Sequence, residues 1–168
     1  MTACAGACYL AVMDNQQVIR DFYGAFARRD GEAMARCYHP QLVFDDPAFG
    51  ELSHREATAM WKMLCGRAKD LVIDLRSASA SGDSGHAEWE AKYTFAKTGR
   101  PVHNKVSADF TFRDGLIVRH HDVFDFWRWS SMALGLPGKL LGWSPIIKNA
   151  VRKETRTALD AYLAKNGG

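Results

Sequence analysis

The chain reads as an α+β domain: a cone-shaped, curved antiparallel sheet with three N-terminal helices in its concave face, then a C-terminal helical extension. Two observations carry that expectation. Apolar residues recur at helical spacing as far as Cys65, then switch to strict alternation from Leu71 to about Phe126. Every alternating run is apolar on one side and polar on the other, so a single face of the sheet is covered by helices.

The elements follow in order. Asp14-Asn15 signals a helix start, and Val18, Ile19, Phe22, Tyr23 and Phe26 make its apolar side. Arg28-Arg29-Asp30-Gly31 closes it. A shorter helix carries Met34, Cys37 and Tyr38 and stops at His39-Pro40. Leu42 to Asp46 is a short strand cut off by Pro47. Ser53 opens a third helix with Ala57, Met60, Trp61 and Leu64, and Ser53-x-x-Glu56 has the form of a capping box. Leu71, Ile73 and Leu75 begin the sheet. Ala87, Trp89, Ala91, Tyr93 and Phe95 alternate with polar neighbours, as do Val106, Ala108, Phe110 and Phe112. Asp114-Gly115 makes a hairpin turn, and a last strand runs from Leu116 to about Phe126.

Composition bounds the rest. A length of 168 residues suits one domain, and 47% apolar with 24% charged residues permits a real core. No stretch approaches the roughly 20 apolar residues that span a bilayer. Thr2 to Val12 is apolar but short, with no basic region ahead of it, which argues against a secretory signal; Met13-Asp-Asn-Gln reads as the start of the domain, and residues 1–13 are expected to be a leader or a disordered N-terminus. The cone is expected over 14–127 and a basic amphipathic helical extension over 128–168. Cys4, Cys8, Cys37 and Cys65 have no zinc spacing and read as reduced thiols of a cytoplasmic protein; no metal and no cofactor is expected. A net charge of +3 gives no argument for nucleic acid. From Arg128 onward, however, seven basic residues face two acidic ones, a local charge of +5. Three accounts of this tail stand side by side: a cap over the open end of the cone, a dimer interface, or peripheral contact with a membrane surface.

The element order, with Phe44-Asp45-Asp46-Pro47 after the second helix and Arg113-Asp114-Gly115-Leu116-Ile117 before the final strand, resembles the nuclear-transport-factor-2-like superfamily. Ketosteroid isomerases and SnoaL-like polyketide cyclases belong to it. The resemblance covers about residues 14 to 127, and it implies the cone fold and a pocket for an apolar small molecule. In the isomerases an Asp directly before Pro acts as base, a pattern that Asp46 matches. Their two hydrogen-bond donors do not carry over: the first-helix Tyr falls on Phe22, with Tyr23 expected to face elsewhere, and the protonated Asp falls on Ala108.

In the last strand, regular alternation leaves two faces open, one with Leu116, Val118, His120, Asp122 and Phe124 and one with Ile117, Arg119, His121 and Val123. The resemblance places His120, Asp122 and Phe124 toward the cone. A His and an Asp two apart on one strand face are neighbours, and a carboxylate that orients an imidazole suits general acid/base work. The same pair also reads as a structural contact at the wet mouth of the cone. Asp46, His120 and Asp122 are thus the candidate catalytic groups. Phe22, Tyr38, Trp61, Trp89, Tyr93, Asn104, Phe110 and Phe124 are the candidate pocket wall.

Two functions fit. One is a cofactor-independent acid/base enzyme (isomerase, cyclase, dehydratase or epoxide hydrolase-like) acting on a polycyclic, polyketide or terpenoid-like substrate. The other is a binding module that carries a hydrophobic ligand. A homodimer is expected through the polar outer face of the sheet, where His86, Glu88, Lys92, Lys105 and Thr111 lie.

Overall fold

The computed structural model describes residues 14–166, and the expectation for residues 1–13 lies outside them. Helix α1 (Asn15–Ala27) begins at Asp14, whose carboxylate accepts from the backbone N–H groups of Gln16 and Gln17. Ile19, Phe22, Tyr23 and Phe26 are all buried on one side of it. Each such side chain contributes roughly 1.5–3 kcal/mol, far more than a helix of this length gains by itself. Docking therefore makes the helix. Helix α2 (Gly31–Arg36) and helix α3 (His54–Arg67) complete the N-terminal set. Glu56 accepts from both the backbone N–H and the hydroxyl of Ser53, the contact that the capping-box spacing predicts.

The sheet has six strands in the order β2-β1-β6-β5-β4-β3. They are β1 (Tyr38–Asp46), β2 (Gly50–Ser53), β3 (Val72–Ser81), β4 (Ser84–Phe95), β5 (Arg100–Arg113) and β6 (Leu116–Val123). From β3 to β6 every pairing is antiparallel, as the alternation predicts. Asp114 and Gly115 both take positive φ, 53° and 72°, as the hairpin between β5 and β6 requires.

Within the sheet, the structure departs from the sequence reading at four places. Strand β1 starts at Tyr38, not Leu42; Pro40 lacks an N–H, and the pairing with β6 shifts register between Tyr38 and Val43. That pairing is parallel, because β1 reaches the far edge of the meander from the opposite end. The four-residue β2 is too short to show alternation. Strand β6 stops at Val123, since Asp125 accepts from the backbone N–H of Arg128 and caps a new helix there.

That helix, α4 (Phe126–Leu134), is followed by α5 (Leu136–Leu141) and α6 (Pro145–Asn166). The extension packs on the domain. Trp129 and Ala133 of α4 join Val102 of β5 and Val151 of α6 in a second small core. Arg152 Nε donates to the Pro47 carbonyl at 3.2 Å, Thr155 Oγ1 to the Ala48 carbonyl at 2.9 Å, and Arg156 pairs with Glu56 at 2.7 Å. Leu159 is fully buried. These contacts lay the tail over the loop that follows Asp46.

Helices α4 and α5 approach closely through a glycine: a Cβ on Gly138 would stand 1.9 Å from the carbonyl oxygen of Ser130. Gly138→Ala must therefore push the two helices apart, at a cost of about 1–3 kcal/mol or more. Urea unfolding measures it, and an unchanged midpoint would refute so close a contact.

Candidate acid/base site

The site grows from one irregularity in β6. Phe112 pairs with Ile117 and Thr111 with Arg119, so β6 spends two residues where β5 spends one. This bulge at Val118 turns both Ile117 and His120 to the inner face, along with Asp122. Simple alternation keeps Ile117 and His120 on opposite faces, which is why the strand allowed two readings.

His120 is fully buried in a ring of aromatic side chains. Phe110 lies 4.5 Å away between centroids, Phe44 5.1 Å and Phe22 5.4 Å, while Trp61 stacks at 6.2 Å. An imidazole in such surroundings needs partners for both nitrogens. It has them. Tyr38 Oη lies 2.7 Å from Nδ1, and Asp122 Oδ1 lies 3.0 Å from Nε2. Trp61 Nε1, which can only donate, bonds to Tyr38 Oη at 2.8 Å. One assignment of protons satisfies all four groups: Trp61 donates to Tyr38, Tyr38 to His120 Nδ1, and the Nε2–H of His120 to Asp122. Burial, followed by the Asp122 charge, pushes the Tyr38 phenol well above its usual range, so it stays a neutral donor.

Asp122 ends this relay, with its side chain only 4% exposed. Asp46 lies on the same face of the next strand, because Phe44 pairs with His120 and the strands run parallel. Its carboxyl is pushed up to about 7. Burial is the main cause; the backbone N–H of Phe49 opposes it, Asp122 adds to it, and the N–H of Ala48 opposes it again. Pro47 thus makes a turn that Asp46 itself ties down.

Farther toward the mouth, Tyr93, Asn104 and Phe124 also face inward. Trp129 of α4 donates to Tyr93 Oη at 2.9 Å, a partner that alternation in the sheet could not reveal. Tyr93 is raised by burial first, with the Asp46 charge contributing. Asn104 is buried and forms no side-chain hydrogen bond among the described residues.

Tyr23 corrects an expectation. It does not face elsewhere: it is 1% exposed, packed against Trp89 at 5.3 Å and near Phe110. The spacing 19, 22, 23, 26 puts Phe22 and Tyr23 on one helical stripe, so the signal was present. Burial and then the Asp122 charge raise its phenol well above the usual range. Tyr23 Oη and Trp89 Nε1 are buried with no hydrogen-bond partner among the described residues. The Trp89 indole N–H partly offsets that rise, so the two polar groups lie within reach of each other.

A groove of about 410 Å³ lies against the opposite, outer face, lined by Asp45, Glu51, Asp109, Phe110, Thr111, Arg119 and His121. It follows a row of directly paired residues across five strands, His86, Asp109, His121, Asp45 and Glu51. His86 bonds Asp109 at 2.8 Å, and His121 pairs with Asp45 at 3.1 Å. Among the described residues no group of three His, Cys, Asp or Glu side chains could hold a metal ion. The groove is shallow and charged, whereas the inner face holds the aromatic wall.

The SnoaL-like domain profile matches residues 19–120, well over half of the chain. The chain belongs to the SnoaL-like family. Solved structures agree on the fold. IdmH from Streptomyces antibioticus, a candidate polyketide cyclase, superposes with a TM-score of 0.61 at 20% identity, covering 73% of this chain and 99% of that one. An epoxide hydrolase of M. tuberculosis, described as LEH-like, gives 0.61 at 18% identity, with 75% and 94% covered. TerC, co-crystallised with polyporic acid, gives 0.60 at 21% identity, with 72% and 98% covered. No curated protein sequence matches the chain. The SnoaL-like match takes in Asp46 and His120, stops just before Asp122, and includes none of α4–α6.

The raised pKa of Asp46 gives a stability test with a definite sign. A carboxyl held at about 7 when folded, against 3.8 unfolded, binds a proton more tightly in the folded state. Its contribution is complete below about pH 4 and is lost as pH rises to 7, at up to about 1.4 kcal/mol per unit. Asp46→Asn removes this slope. Urea midpoints measured between pH 4 and 8 should fall with pH for the wild type and stay flatter for the variant; identical slopes would refute the assignment.

Proposed function

We propose that this SnoaL-like protein is an acid/base enzyme acting on an apolar polycyclic, polyketide or terpenoid-like small molecule held against the inner face of the cone. One observation carries the reading: the buried relay Trp61–Tyr38–His120–Asp122 ends beside Asp46, a carboxyl that exchanges its proton near neutrality. The reaction class is proton transfer, as in isomerisation, cyclisation, dehydration or epoxide opening. Asp122 takes the proton from the substrate, and His120 holds that carboxylate in position through its Nε2–H. Asp46, protonated for about half the time near pH 7, returns a proton to the substrate. Phe22, Trp61, Trp89, Tyr93, Phe110 and Phe124 wall the ligand, with Asn104 as a polar contact. Tyr38 acts through His120 as a positioning residue. The chemistry asks for no metal and no redox cofactor.

The similarity to cyclase-like and epoxide hydrolase-like proteins supports this reading at the level of fold. A hydrophobic ligand carrier built on the same cone makes a different prediction about turnover. Mass spectrometry of ligand co-purifying with the protein names the compound class, and incubation of that compound in deuterated water reads proton exchange at carbon. Asp122→Asn should cut turnover by about 10²-fold or more while the variant still folds. Tyr38→Phe should leave a smaller loss and shift the pH profile. Binding without exchange or conversion by the wild type overturns the enzyme and leaves the carrier.

We place the protein in the cytoplasm as a homodimer that pairs through the outer face. Free Cys37 and Cys65 and the charged row from His86 to Glu51 support that placement. Sedimentation at micromolar concentration should show a dimer that Arg119→Glu weakens. A monomer throughout removes it.

A further inference from the structure

Helix α5 is inside out. Its glycines face the protein: Gly138 is buried, and a Cβ on Gly138 or on the capping Gly142 would stand 1.9 or 2.1 Å from atoms of Ser130. That contact fixes which side points inward. Leu136 and Leu140, one turn apart, are left 71% and 68% exposed. The Trp143 indole N–H donates to the Leu140 carbonyl at 3.0 Å, which lays a ring 67% exposed beside the same turn. Ile146 follows at 70%. Trp127 of α4, also exposed, donates to the Lys139 carbonyl at 3.0 Å and joins the same surface. Water alone favours the reverse arrangement, with leucines in and glycines out. A cluster of large apolar side chains left exposed around one short helix is the mark of a docking surface.

Charge selects what docks. Residues 126–153 contain no acidic side chain and five basic ones, Arg128, Lys139, Lys148, Arg152 and Lys153. A second copy seated here would bring two basic rims together. An anionic lipid headgroup layer complements them. Tryptophan with leucine and lysine is also the composition of interfacial elements, and among the described residues no helix is long and apolar enough to cross a membrane. We propose that α5, with the adjoining ends of α4 and α6, docks on the surface of an anionic phospholipid bilayer. Leu136, Leu140, Trp143 and Ile146 enter the headgroup–acyl boundary, and Lys139 and Lys148 meet the phosphates. Helix α4 turns Trp129 toward Tyr93 in the cone mouth and Trp127 toward this surface, so docking holds the mouth one helix from the phase in which an apolar ligand concentrates. Only that last consequence rests on the proposed function.

The test is flotation of the full chain with phosphatidylglycerol–phosphatidylcholine vesicles and with phosphatidylcholine alone, at low and high salt. The wild type should float with the anionic vesicles, about tenfold less with the neutral ones, and less at high salt. Brominated lipid should quench its tryptophan fluorescence. Leu140→Glu with Trp143→Glu should abolish flotation while circular dichroism stays unchanged; if that pair does not fold, Lys139→Glu with Lys148→Glu tests the same face. A wild type that stays unbound overturns the proposal, and so does equal flotation of the folded variant. An oligomer that the variant converts to monomer, without vesicle binding, assigns the face to a second copy and overturns it too. Each of these results leaves the acid/base reading standing.

Discussion

His120 has no contact with water and two ring nitrogens to satisfy. It sits among Phe22, Phe44, Trp61 and Phe110, side chains that offer it no hydrogen bond apart from the indole N–H already given to Tyr38. Each nitrogen left unpaired there would cost about 1–3 kcal/mol, a large part of a domain's net stability. Tyr38 and Asp122 are therefore held in place by the same packing that buries the imidazole. The helices supply Phe22 and Trp61, β1 supplies Tyr38 and Phe44, β5 supplies Phe110, and β6 supplies His120 and Asp122. Five elements have to arrive together for one side chain to be buried without loss.

The bulge at Val118 makes this possible. Without it, the face that buries Ile117 beneath the turn would carry Arg119 and His121 inward, and two charged or ionisable groups would replace the relay. With it, His121 and Arg119 line the outer groove and pair with Asp45 or solvent. A single extra residue separates the strand into a structural half and a chemical half. The inner face grades from aromatic at His120 to polar at Asp46, Asp122 and Asn104.

The C-terminal extension works in the opposite way to the cone. Its inward contacts are glycines, hydroxyls and a few large anchors such as Trp129, Val151 and Leu159, while many of its largest apolar side chains remain outside. It packs on Pro47 and Ala48, so the turn that carries Asp46 is partly covered by α6. Such covering is one reason that burial outweighs two backbone hydrogen bonds in setting the state of that carboxyl.

Local pattern was enough for the helices, the antiparallel meander, the Asp114-Gly115 turn and the pairing of His120 with Asp122, because each depends on residues a few positions apart. The resemblance pointed to Asp46 and to Asp122 one at a time; that their strands run side by side, with Phe44 opposite His120, is decided by register. What the sequence could not contain is whatever depends on register between distant segments. The parallel seating of β1 against β6, the Val118 bulge and the bond from Trp61 to Tyr38 are all of this kind. Helix α5 is the clearest case. Hydropathy alone would turn its leucines inward, yet only the contact of Gly138 with the Ser130 backbone decides which side faces in, since closeness between two backbones is a property of the fold.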